Sequence, residues 1–120
     1  MVEAVLRIAA TRVSSQLGSL HREAVYQRAL AAELRANGYV VSVEHPVPIT
    51  YTDSAGHVHP LATERADLVV DNTAVIEIKV AENTSAAACD QARRYGAALS
   101  MAPFVVTFGS ASTTTAINRT

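Results

Sequence analysis

Apolar positions recur every three or four residues through the first third of the chain and closer to every second residue after it. The first regime predicts helices and the second strands. Val5, Ile8, Ala9 and Val13 fall on one face of a helix over residues 3–15. The stretch LHREAVYQRALAAELRANG predicts a second helix starting near Gly18 or Ser19, with Ser19 as N-cap and Asn37-Gly38 as its stop. Tyr26, Leu30 and Leu34 form its inner stripe, and the spacing puts Glu23 on the same stripe. YVVSVEHPVPITY is rich in β-branched residues and alternates, so it reads as a strand, and Pro46 with Pro48 argues for a sheet edge or a break. TDSAGHVHP is a hairpin tip with Asp53 and Gly56 as turn residues. RADLVVDNTAVIEIKV reads as two strands joined by a tight turn. SAAACDQARRYGAALS is an alanine-rich helix with Ser85 as cap, and FVVTFG is a buried strand closed by glycine.

The expected order is therefore two helices, four strands, a helix and a last strand. That is an α/β (α+β mixed-sheet) domain in which helices flank a four- to five-stranded sheet. We expect one domain over residues 1–109 and a polar tail over 110–120 that has little reason to fold by itself.

Composition narrows the class. A chain of 120 residues with 49% hydrophobic and 18% charged content suits one ordered domain. No apolar run approaches a membrane span, and MVEAVLRIAATRVSS lacks the layout of a signal peptide. Cys89 is the single cysteine, which excludes an internal disulfide or zinc ribbon and suits an intracellular setting. We expect it to be a small core residue. The net charge of −1 disfavours strong non-specific nucleic-acid binding, although Arg22, Arg28, Arg65, Arg93 and Arg94 could form a local basic rim or simply solvated surface. His57 and His59 form an H-x-H pair whose plainer reading is solvated loop histidines.

The charges inside RADLVVDNTAVIEIKV change the picture. Strand interiors exclude charge unless it is paired, bound to an ion or used. A two-residue turn would mix apolar and charged side chains on both faces. A three-residue turn, Asp71 to Thr73, pairs Leu68 with Ile76, Ala66 with Ile78 and Val70 with Ala74, leaving one face wholly apolar. Asp67 then faces Glu77, and Arg65 faces Lys79. Cβ atoms of such a pair lie about 4.5–5.5 Å apart, so the like charges repel unless neutralised. Hard oxygen donors suit Mg²⁺ or Mn²⁺. Lys79 projects about 6–7 Å along the strand on the same face. The alternative is a buried ion-pair network in which Lys79 and Arg65 neutralise Asp67 and Glu77. Gln91 and Tyr95, at i and i+4, add polar groups to what should be a packed helix face.

GSLHREAVYQRALAAELRANGYVV, RADLVVDNTAVIEIKV and QARRYG, in that order, resemble the small GxxExxY family of PD-(D/E)XK nuclease-like folds. The likeness runs from the first helix to VTFG. Glu23 and Tyr26 fit its E-x-x-Y element, Asp67 the first site strand, Glu77–Lys79 the E-x-K element, and Gln91 with Tyr95 the Q-x-x-x-Y helix. Gly18 lies five residues before Glu23 where the family name implies three. The resemblance implies a Mg²⁺ (or Mn²⁺) held by Asp67, Glu77, the Ile78 carbonyl and Glu23. It makes Glu23, Asp67, Glu77, Lys79 and Gln91 the catalytic set; Tyr26 and Tyr95 of its motifs, together with Arg65, Arg93 and Arg94 of the basic rim, are the candidate substrate contacts. The implied activity is phosphodiester hydrolysis in nucleic acid, DNA before RNA; separately, we expect a homodimer or a subunit of a larger assembly, since one small domain gives little grip on a duplex. The rival is a catalytically silent nuclease-like fold serving as a binding or structural subunit, including one of a mobile element or virus particle.

Overall fold

The computed structural model describes residues 2–109 and, for the backbone alone, Thr115–Arg119. Helices α1 (Val2–Leu17) and α2 (Glu23–Ala36) precede strands β1 (Val41–Thr52), β2 (Val58–Val70) and β3 (Ala74–Val80). Helix α3 (Ala86–Leu99) then leads to β4 (Ala102–Phe108) and β5 (Thr115–Arg119). The strands lie in chain order in one sheet, antiparallel except for β3 and β4, which run parallel across the α3 crossover. This is the expected mixed sheet flanked by helices.

Two cores follow from that topology. One sheet face carries Leu68, Val70, Ala74, Ile76, Ile78, Val106 and Phe108 against α1 and α2. The other carries Val69, Val75 and Val105 against α3. Helix α1 turns Leu6, Ala9, Ala10 and Val13 inward. Ile8, expected on that face, is 71% exposed because the inward stripe of Leu6, Ala9, Ala10 and Val13 centres on the opposite side of the helix.

Helix α2 begins four residues later than its pattern predicts. Gly18, at φ 72°, closes α1 through a bond from its N–H to the Ser14 carbonyl, so Ser19 lies in the link between helices. Arg22 occupies the N-cap position with no side-chain cap bond. The Asn37-Gly38 stop forms as expected, with Gly38 at φ 91°.

Three strands, not four, precede α3. Val58–Val70 is one long strand, and the register shift between Ile49 and Thr50 interrupts its pairing with β1 without ending it. The prolines at 46 and 48 are tolerated because β1 is the sheet edge. The turn after β2 holds Asp71 and Asn72 at φ 51° and 53°, with the Thr73 N–H donating to the Val70 carbonyl at 2.9 Å. Positive φ at both central residues makes a type I′ turn, which Asp and Asn tolerate. It sets the pairing Leu68–Ile76, Val69–Val75 and Val70–Ala74, as predicted. Within the polar tail, β5 forms because β4 offers it a strand partner, a long-range cause that the tail's own pattern does not carry.

Candidate functional site

The β2–β3 ladder stops at Leu68 and Ile76, so the expected Ala66–Ile78 and Arg65–Lys79 pairs do not form. Side chains replace main chain where the strands part. The Asp67 N–H donates to Glu77 Oε2 at 2.9 Å, and the Ile78 N–H donates to Asp67 Oδ2 at 2.7 Å. Asp67 and Glu77 thus sit together at the fork, as their register predicts. Burial pushes the Asp67 carboxyl up. Burial, with the Asp67 charge second, raises Glu77 to about 7.

The fork has a counterpart on β1. Val43 pairs with Leu68 and His45 with Ala66, but Glu44, opposite Asp67, drops out of the ladder at φ 54°. Across this point the strands turn over. Val43 packs on the α1/α2 core, while Val47 lies in the α3 cluster with Ala66 and Val69. The strict alternation expected for Ala66 and Leu68 is therefore broken, and Asp67 is re-aimed toward α2.

From α2, Glu23 is exposed rather than on the buried stripe. Gln27 occupies the inward place, 6% exposed, and its Nε2 donates to the Asp67 carbonyl at 3.1 Å and to Asp67 Oδ1 at 3.5 Å. Glu23, Ala24, Gln27, Glu44, Asp67 and Ile78 line a cleft of about 220 Å³. Glu23 and Glu44 add their charges to the forces raising Asp67. Sequence reasoning missed Gln27 and Glu44 as site residues; Gln27 carried a signal, being polar and next to Tyr26 on the inner stripe, and Glu44 carried none.

Lys79 faces the α3 side. With Ser85, Ala87, Ala88, Gln91 and Arg94 it lines a second cleft of about 450 Å³. Its charge acts on both Asp67 and Glu77, in the direction that favours their ionised forms. Gln91 Nε2 donates to the Tyr95 hydroxyl at 3.1 Å, which donates to Glu64 Oε1 at 3.0 Å, where Arg94 also binds at 3.1 Å. Tyr95 is 3% exposed and fills that network, so it offers a substrate little surface. Tyr26 offers none: it is fully buried, stacked on Phe108 and bonded through its hydroxyl to the Gly18 carbonyl. Arg65 and Arg93 are exposed, Arg93 pairing with Asp90 at 3.0 Å. His59 pairs with Asp53 at 2.7 Å in the hairpin tip, and Cys89 is a buried core residue.

Among the described residues, no three His, Cys, Asp or Glu side chains gather closely enough to cage a metal. The donor chemistry nonetheless fits a hard divalent cation. Glu77 is 2% exposed, yet its Oε1 accepts no hydrogen bond among the described residues. A buried carboxylate oxygen left without a donor is what such a cation satisfies.

No helix among the described residues is long and apolar enough to cross a membrane. A search of curated proteins found no match to the chain. A family model described as the PD-(D/E)XK nuclease superfamily matches residues 1–120. With the mixed sheet and the forked Asp–Glu–Lys strands in place, that match over the whole chain places the protein in the PD-(D/E)XK nuclease superfamily.

Proposed function

We propose that the chain is a Mg²⁺- or Mn²⁺-dependent nuclease of the GxxExxY branch, hydrolysing phosphodiester bonds in DNA or RNA. The observation that carries this reading is the Asp67–Glu77 pair at the fork, two carboxylates kept together although burial opposes their ionisation. Asp67, Glu77, the Ile78 carbonyl and Glu23 hold the ion. When bound, a divalent ion lowers the pKa of a coordinated water and stabilises charge on a phosphodiester oxygen.

The chain's own groups do the rest. The Lys79 ammonium orients the attacking water and neutralises charge that develops on the phosphate. Gln91, held by Tyr95 on the same cleft wall, positions the water or the phosphate. Arg94 stands on that wall, and Arg65 and Arg93 on the exposed surface, as contacts for the nucleic-acid backbone. Tyr26 serves by holding α2 against β4, which fixes Glu23 beside the fork.

A specific observation favours the rival, a silent fold used as a binding or structural subunit: both carboxylates already accept main-chain N–H groups, and no three metal-ligating side chains gather among the described residues. Titrating Mn²⁺ into the wild type and Asp67→Asn, followed by heat or by the EPR signal of the free ion, separates the two. Saturable binding that the variant loses supports the nuclease. A folded wild type that binds no Mn²⁺ at millimolar concentration, with a short oligonucleotide present, supports the silent subunit.

A further inference from the structure

Two polar groups in the acidic cleft have no partner for part of their bonding capacity. Gln27 is nine-tenths buried, and both atoms within reach of its amide, the Asp67 carbonyl and Oδ1, are acceptors. Its amino group must face them, so its Oε1 faces away from them, and that oxygen accepts no hydrogen bond among the described residues. Glu44 is the other. Its main-chain carbonyl takes a long bond from Arg65 at 3.4 Å, but its carboxylate forms no ion pair or hydrogen bond among the described residues. The cleft wall holds three carboxylates, one amide and no lysine or arginine.

The backbone shows that Glu44 is held there against its preference. The left-handed region is unfavourable for a residue other than glycine. Here that conformation sits in mid-strand, opposite Asp67, at the point where both strands turn over. Its charge acts on Asp67 and on Glu77 alike, and in both cases it opposes their ionisation.

We propose that Gln27, through Oε1, and Glu44, through its carboxylate, complete the ligand set of the divalent cation held at Asp67 and Glu77, directly or through its water. This rests on the reading of Asp67 and Glu77 as cation ligands. An amide oxygen and a carboxylate are hard donors of the kind such ions take, and they supply from α2 and β1 what the fork cannot supply alone.

Mn²⁺ binding and thermal melting test this on four variants. Glu44→Gln removes the charge and keeps the shape, so Mn²⁺ affinity should fall about tenfold while the metal-free melting temperature holds or rises. Gln27→Glu replaces the donor to Asp67 by a further carboxylate. Its metal-free form should melt lower than the wild type, and Mn²⁺ should raise its melting temperature by more. Glu33→Gln, on the same helix as Gln27, breaks the surface pair with Arg12 of α1 and should leave Mn²⁺ binding unchanged. If Glu44→Gln and Gln27→Glu both bind Mn²⁺ within about twofold of wild type while Asp67→Asn has lost it, the inference is overturned and the fork site stands. If the wild type binds no Mn²⁺, both fall together.

Discussion

At the scale of single residues, the fork was legible because alternation and turn length act locally. Asp67 could be placed opposite Glu77 from the requirement that Leu68, Val70, Ala74 and Ile76 share a face, and the ladder has that register. Glu44 was illegible, because its place depends on an irregularity in β1, a left-handed residue opposite Asp67, that no local pattern encodes. Gln27 was passed over for Glu23, since one stripe was read slightly out of phase. The buried Glu77 carboxyl has a consequence for stability. Its pKa is about 7 in the fold against 4.5 for the ordinary group, so the folded state holds that proton more tightly than the unfolded chain. Its contribution is fully present below about pH 4.5 and is lost as pH rises through about 7. In chelator, we expect Glu77 to cost the fold of order 3 kcal/mol across that window, and Glu77→Gln to remove that part of the slope. Thermal melts of both proteins from pH 4 to 8 check this; parallel profiles would show that Glu77 ionises normally.

At the scale of elements, α3 was the most readable. Ser85 caps it as expected, accepting the Ala88 N–H at 3.1 Å. Ser85→Ala should cost about 1 kcal/mol in urea denaturation. Gly96 is less obvious from sequence. A Cβ there would meet the Met101 carbonyl oxygen at 2.7 Å, so the close α3–β4 connection needs a residue without a side chain. Gly96→Ala should destabilise more than Ser85→Ala, because main chain and not a flexible side chain must move; equal losses would show that the turn yields easily. The start of α2 was misread for a physical reason. Ser19 has the chemistry of a cap, but Gly18 in the left-handed conformation ends α1 just before it and spends the following residues on the link.

At the scale of the whole molecule, the α/β class and a four- to five-stranded sheet followed from the order of helical and alternating segments, while the segments that supply the five strands did not all follow. Strand β5 exists because β4 pairs with it, and the unbroken length of β2 depends on its partner β1. The net charge of −1 also reads differently once located. Acidic side chains crowd one cleft, whereas Lys79 and Arg94 line the other. A cation bound by the folded chain alone stabilises the whole domain by mass action, about 2.7 kcal/mol at a hundred times its dissociation constant. Mg²⁺ should therefore raise the wild-type melting temperature and EDTA should reverse it, with Asp67→Asn indifferent to both. A shift of equal size in the variant would place the cation elsewhere.

Cleavage is the most direct test of the fork as a working site. End-labelled single- and double-stranded DNA and RNA are incubated with the purified chain in Mg²⁺, beside an EDTA control and Lys79→Ala, and the products are resolved by length. We expect shortened products from the wild type in Mg²⁺, none in EDTA, and none from a Lys79→Ala variant whose melting curve matches a folded protein. Cleavage by Lys79→Ala at the wild-type rate, or intact strands from wild type that binds Mn²⁺, would contradict the roles assigned to the fork.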